Sequence, residues 1–275
     1  MTPRRRPEAG FALLIVLWTM VLLALLGTQL LSSARSDSQL ARNLVDAAEM
    51  RAATNGAIQQ AIFHLLEPPP QRWAADGRPY VVRMGAAAVR LRIQDEGGKV
   101  NLNAASPTLL QALLVEVGEA PAQAASIAAA IVAWRSSATQ PGGTAALATQ
   151  YAAAGLDYRP RGSGFRSIGE LGDVLGMTPE LLARVRPHVT VYSDTDPNGS
   201  TSDPVVAAAL GNPPASPQTD AIGPDVVSIV ADARGPEGNR VGYAWVVRLN
   251  SQFGRFPYEV LSMQRITPEA PDSGR

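Results

Sequence analysis

The sequence predicts an α+β fold: a long N-terminal helix, transmembrane and then amphipathic, packed on a small antiparallel sheet, with an all-helical domain inserted between the strands. Three observations predict it. Residues 11–31 form an uncharged apolar run, and helical spacing continues beyond it to a stop at Pro68-Pro69-Pro70. Segments that alternate apolar and charged residues occur early, as V-R-L-R-I at 89–93, and again near the C-terminus. Between them the chain shows helix caps and three- and four-residue apolar steps. The expected organisation is a leader at 1–10, a helix at 11–67, an α/β domain built from 68–95 and 189–267, a helical insertion at 96–188 and a disordered tail at 268–275.

The apolar run comes first. About 21 residues at 1.5 Å rise span roughly 30 Å, the hydrocarbon thickness of a bilayer. A helix satisfies its own backbone groups there, so it is the expected spanning form. Arg4, Arg5 and Arg6 precede the run against a single Glu8, which keeps the N-terminus cytoplasmic and sends the remainder across. The run is longer than the apolar part of a secretory signal peptide, and Gly27-Thr28-Gln29 is a poor cleavage site; a small residue, Gly10, stands before the run instead. Beyond the membrane, Leu40, Leu44, Ala47, Ala48 and Ile58 recur among Arg, Asp, Gln and Glu. Such a stripe on an otherwise polar helix has to be covered, by this chain's head or by a partner.

The remaining elements follow in order. Residues 79–84 and 88–94 read as a hairpin-like pair of strands closed by Asp95-Glu96-Gly97-Gly98. Ser106 caps a helix with Pro107 at its first position, and Gly118 ends it. An Ala-rich helix is expected at 121–135, and a loop with one short helix near 147–154. Ser167 and Glu170 suggest a capping box, and Thr178-Pro179 starts another helix before a strand at 189–192. Three alternating segments at 226–233, 241–250 and 256–266 read as an antiparallel meander.

Composition removes several kinds of chemistry. The chain has 275 residues, no cysteine and two histidines, so disulfides, thiolate zinc sites and a cysteine nucleophile are excluded and histidine-based catalysis has little to work with. His64 on the amphipathic helix and His188 before a strand both read as structural. No phosphate-binding loop, dinucleotide fingerprint or nucleophile elbow occurs, and no enzyme is expected. Without the leader, 21 basic side chains stand against 23 acidic ones, a balance that does not suggest nucleic acid. One constellation carries metal chemistry: Asp194, Asp196 and Asn198 alternate before Gly199, with Ser200 to offer a carbonyl, as in the first half of a calcium loop. Position twelve is Val205 rather than a bidentate glutamate, and Asp203 would have to substitute. The first reading of these residues is a solvated, Asx-rich turn, with calcium as the alternative.

Gly10 between a basic leader and an apolar helix resembles the leader of type IV pilin-like proteins. That resemblance implies cleavage after Gly10 by a prepilin peptidase and methylation of the new N-terminus, Phe11. Most such proteins carry glutamate as the fifth mature residue, and here it is Ile15. The missing glutamate and the sequence A-L-L-I-V-L-W resemble the K-type minor pseudopilins of type II secretion, the general secretion pathway protein K family. So does the order of V-N-L-N-A-A at 100–105, W-R at 134–135, S-I-G-E-L at 167–171 and V-T-V-Y-S at 189–193. The resemblance implies a pilin-like, single-pass inner-membrane protein with a periplasmic head. It would cap or initiate the pseudopilus tip, support export of folded proteins across the outer membrane, and bind I- and J-type minor pseudopilins along the stripe. It also implies calcium as a candidate cofactor.

A rival reading comes from residues 100–135, which also resemble the helix-hairpin-helix of DNA-binding proteins and would imply a membrane-anchored receptor for DNA uptake. Its turn, V-E-V-G-E-A at 115–120, would set two carboxylates against phosphate, and no basic residue is adjacent in sequence.

Overall fold

A computed structural model describes residues 9–136, 139, 142–158, 160–194, 197, 201–212, 223–235, 238–249 and 257–267, with the backbone alone at 9–12 and 26–38. It divides into two compact units, Met1–Ala52 and Ala53–Arg275. Helix α1, Ala9–Leu66, begins in the first and ends in the second. In the first unit the apolar side chains at 13–25 are exposed. Among the described residues no helix is long and apolar enough to cross a membrane.

The second unit is a helix-and-sheet domain carrying a helical insertion. Its sheet orders β1 (Asp76–Met84), β2 (Ala87–Asp95), β5 (Val226–Arg234), β6 (Arg240–Leu249) and β7 (Tyr258–Ile266), every neighbour antiparallel. The join of early to late strands is the β2–β5 ladder, from Ala88↔Arg234 to Asp95↔Val227. Alternation assigns its faces. Val89, Leu91 and Ile93 share one face with Val227, Ile229, Ala231 and Ala233, and all seven are fully buried. Arg90 and Arg92 fall on the other face.

The end of α1 covers the buried face. Ala57, Ile58, Ala61, Ile62 and Leu65 are its buried positions, at the spacing of one helical stripe. Gly56 lies beside Met84 Sδ of β1, and the Tyr258 hydroxyl of β7 donates to Gln59 Oε1 at 3.0 Å. Beyond the helix, Trp73 is stacked between His64 and Tyr80, with ring centroids 4.4 and 4.2 Å apart. His64 also meets Glu67 through Nδ1 at 2.7 Å, while Arg72 Nε donates to the Glu67 carbonyl. These contacts satisfy the helix end that the prolines create.

The insertion leaves and rejoins the sheet domain through two short parallel strands, β3 (Val100–Asn101) and β4 (Val189–Thr190). Between them lie α2 (Pro107–Glu116), α3 (Pro121–Ser136), α4 (Gly143–Ala153), a 3₁₀ turn (Ile168–Asp173) and α5 (Pro179–Val185). One core joins them, with Leu110, Leu113, Ile127, Ile131, Tyr151 and Leu171 fully buried. Val206 of α6 (Pro204–Ala209) enters the same core, past the boundary expected at 188. Ser106 and Thr178 cap α2 and α5 through backbone N–H groups three residues on. Ser167 does not complete a capping box: its side chain makes no cap bond, and Glu170 Oε1 accepts from Arg166 N at 3.2 Å. A tight 3₁₀ turn does not bring Glu170 back to the Ser167 N–H.

Candidate interaction surface

The residues expected to meet a partner separate into two groups. Leu40, Leu44, Ala47 and Ala48 lie at i, i+4, i+7 and i+8 on one side of α1 and are open to solvent, Leu40 and Leu44 by 59% and 62%. Ile58 does not join them. It is 0% exposed, because ten residues on the helix has reached its own sheet and the stripe there belongs to the core. Val45, 56% exposed beside Leu44, is an apolar neighbour that strict periodicity left out. Gly10 and Phe11 are in the first turn of α1, and their side chains lie outside the described residues. The tail at 268–275 lies outside them as well.

The loop read as a half calcium site is described only in part, since Asp196, Asn198 and Ser200 fall outside the described residues. The two that are described, Asp194 and Asp203, each have a partner in the fold. Asp203 is the N-cap of α6, its Oδ1 accepting from Val205 N at 2.9 Å and Val206 N at 3.3 Å, and its Oδ2 meets His188 Nδ1 at 2.6 Å. Burial favours the neutral acid, but the His188 hydrogen bond and charge, with the Val206 and Val205 N–H groups, outweigh it and hold the Asp203 carboxyl below its usual range. Both oxygens are therefore committed within the fold. Asp194 is exposed and faces Arg248 Nη2 at 3.4 Å. Among the described residues no three His, Cys, Asp or Glu side chains converge as a metal would need.

The α2–α3 hairpin gives little to DNA. The structure does bring a basic residue to its turn, which sequence adjacency could not reveal: Arg184 of α5 lies beside Gly118, whose φ of 98° closes the turn. That guanidinium pairs with Glu119 Oε1 at 2.7 Å, so the charge offered to a phosphate is already met.

Sequence reading missed the side chains that clasp the insertion. Asn103 pairs with the backbone of Phe165 as another strand would, its Oδ1 accepting from the N–H at 2.6 Å and its Nδ2 donating to the carbonyl at 3.0 Å. Asn101 donates Nδ2 to the Ser193 carbonyl and accepts from Asn103 N. Arg135, at the end of α3, donates to the carbonyls of Leu102 and Ala105 at 2.7 and 2.6 Å. Two of the motifs that carry the resemblance are thus fastenings: V-N-L-N ties the entry of the domain to the backbone at Phe165 and Ser193, and W-R anchors α3 to the entry strand. Alternating asparagines after a strand were the available signal.

Comparison with known proteins follows this architecture. Residues 89–194 match the family model for type II secretion system protein K, from β2 through the insertion to just past β4. No curated protein matches. A chain in the crystal structure of the GspK–GspI–GspJ complex from the enterotoxigenic Escherichia coli type 2 secretion system is similar in fold, with a TM-score of 0.62 at 14% identity, covering 82% of this chain and 99% of that one.

Proposed function

We propose, because residues 89–194 match the family model for type II secretion system protein K, that this chain works as a minor pseudopilin, a non-enzymatic subunit at the tip of the type II secretion pseudopilus. The observation that carries this proposal is the helical domain inserted, on a two-strand clasp, into a helix-on-sheet head. A bulky insertion suits a terminal subunit better than one that must be stacked over. In this reading the uncharged run at 11–31 anchors the chain in the inner membrane with the head periplasmic, and a prepilin peptidase cuts between Gly10 and Phe11. With Ile15 where a glutamate is usual, the mature helix has no carboxylate to reach a subunit above it.

The solved relative assembles with GspI and GspJ. Here the corresponding I- and J-type subunits would cover Leu40, Leu44, Ala47 and Ala48, whose exposed apolar surface is costly to leave in water. Co-expression with those two subunits tests this: the wild type should co-purify with them, and Leu44→Arg, which leaves the head untouched, should not. Mass spectrometry should find a mature protein beginning at methylated Phe11. A mature chain starting near Gln29, or an I–J complex indifferent to Leu44→Arg, would refute the reading.

A further inference from the structure

We propose that the outer face of the sheet, the face α1 does not cover, is a docking surface for the acidic surface of a protein outside the pseudopilus core. Strand register puts Arg83, Arg90, Arg92, Arg234 and Arg240 together on that face. Val81 is opposite Arg90, Ala88 joins Arg83 to Arg234, and Arg234 lies directly opposite Arg240. Among the described residues, one carboxylate stands between Arg90, Arg234 and Arg240. Asp232 is opposite Arg90 in the ladder, yet it bonds Arg240 and leaves its own Oδ1 buried without a hydrogen-bond partner. Arg83, Arg90 and Arg234 are exposed and make no ion pair with any described residue.

Such an arrangement is costly in isolation, because like charges directly opposite one another on adjacent strands repel. The mature chain is slightly acidic overall, so the excess is local to this face. At the β6–β7 side the balance differs: Arg248 has Asp194, Asp225 and Glu259 within 4.0 Å. Carboxylates are what the other half lacks.

The chemistry favours a protein as occupant. Guanidinium groups pair bidentately with carboxylates, and this patch also offers an apolar side chain on its edge strand, Val81, 67% exposed beside Arg83 and opposite Arg90, as a protein interface does. Three free arginines would neutralise too few phosphates to hold a nucleic acid. Among the described residues the face carries no exposed aromatic side chain to enter a bilayer. Placing the partner outside the core rests on the pseudopilin reading: subunits pack through α1, and α1 covers the opposite face of the sheet.

The full chain, in neutral detergent, would be titrated with a fluorescent poly-glutamate peptide at low and at high salt, beside the R83Q/R90Q/R234Q variant and the single variant Arg90→Gln. Three exposed pairs should give roughly tenfold tighter binding to wild type than to the triple variant, with the single variant between them and salt removing the difference. Equal affinity for all three proteins overturns the proposal. Tighter binding of phosphatidylglycerol vesicles or duplex DNA, lost in the triple variant, overturns the assignment to a protein. In cells the triple variant should keep its complex with the I- and J-type subunits while export falls. Failure of the wild type to form that complex would instead count against the pseudopilin reading, and undiminished export by a variant that has lost poly-glutamate binding would overturn the docking role.

Discussion

Asn103 shows how much one side chain can fix. Its amide supplies both a donor and an acceptor to the Phe165 backbone, across 62 residues of sequence. Ala at this position leaves the Phe165 N–H and carbonyl without those partners, at a cost of about 2 kcal/mol for two neutral hydrogen bonds. Urea unfolding of Asn103→Ala should register that loss. Asn103→Asp, which keeps the acceptor, should lose less. Gly164 belongs to the same fastening, since a Cβ there would meet Asn103 Oδ1 at 3.0 Å. Asp203 is the second such residue. Its carboxylate caps α6 and pairs with His188, so Asp203→Ala should lower the thermal midpoint by the same amount with calcium as with chelator. A calcium-dependent difference would return Asp203 to the ligand set from which its geometry removes it.

At the scale of elements, the sequence carried most of the fold. Ser106-Pro107 and Thr178-Pro179 marked helix starts, Gly118 marked an end, and the three C-terminal strands fell within two residues of their place, because caps and alternation are local signals. What was illegible depended on distant partners. Ile58 shares its periodicity with Leu44, and only the arrival of the sheet makes one core and the other surface. Asp203 precedes Pro204 as Ser106 precedes Pro107, yet the aspartates upstream invited a metal instead. The segment joining β2 to β3 supplies a further case. Lys99, the only lysine in the chain, meets Glu96 Oε1 at 2.5 Å with both side chains almost wholly enclosed. Lys99→Met should destabilise by about 3 kcal/mol by stranding a buried carboxylate, and Glu96→Leu with Lys99→Met should recover most of it. Chemical denaturation of the single and double variants measures both.

At the scale of the whole molecule, Asp203 and Tyr151 act at opposite ends of the pH range. The Asp203 carboxyl has its folded pKa depressed, so its contribution is present above the ordinary aspartate value of about 4 and is lost as pH falls through the folded one. Tyr151 works from the other end. Burial pushes its hydroxyl up to about 12, so the folded state keeps its full advantage below the ordinary value near 10 and loses it as pH rises toward 12. Thermal midpoints recorded across pH should therefore show an acid loss that Asp203→Ala reduces and an alkaline loss to which Tyr151 contributes. Tyr151→Phe should move the alkaline fall to higher pH, because it removes the buried ionisable hydroxyl at the loss of the hydrogen bond from the Leu175 N–H.

The two-strand clasp has a mechanical consequence. Since β3 and β4 lie side by side, the strand that enters the insertion is fastened to the strand that follows its helices. Tension entering the head through the end of α1 passes along the strands and crosses from β2 to β5 by their shared ladder, without traversing the helices between. The insertion hangs outside the line of force. Its size and surface can then be altered without softening the part of the molecule that carries that tension.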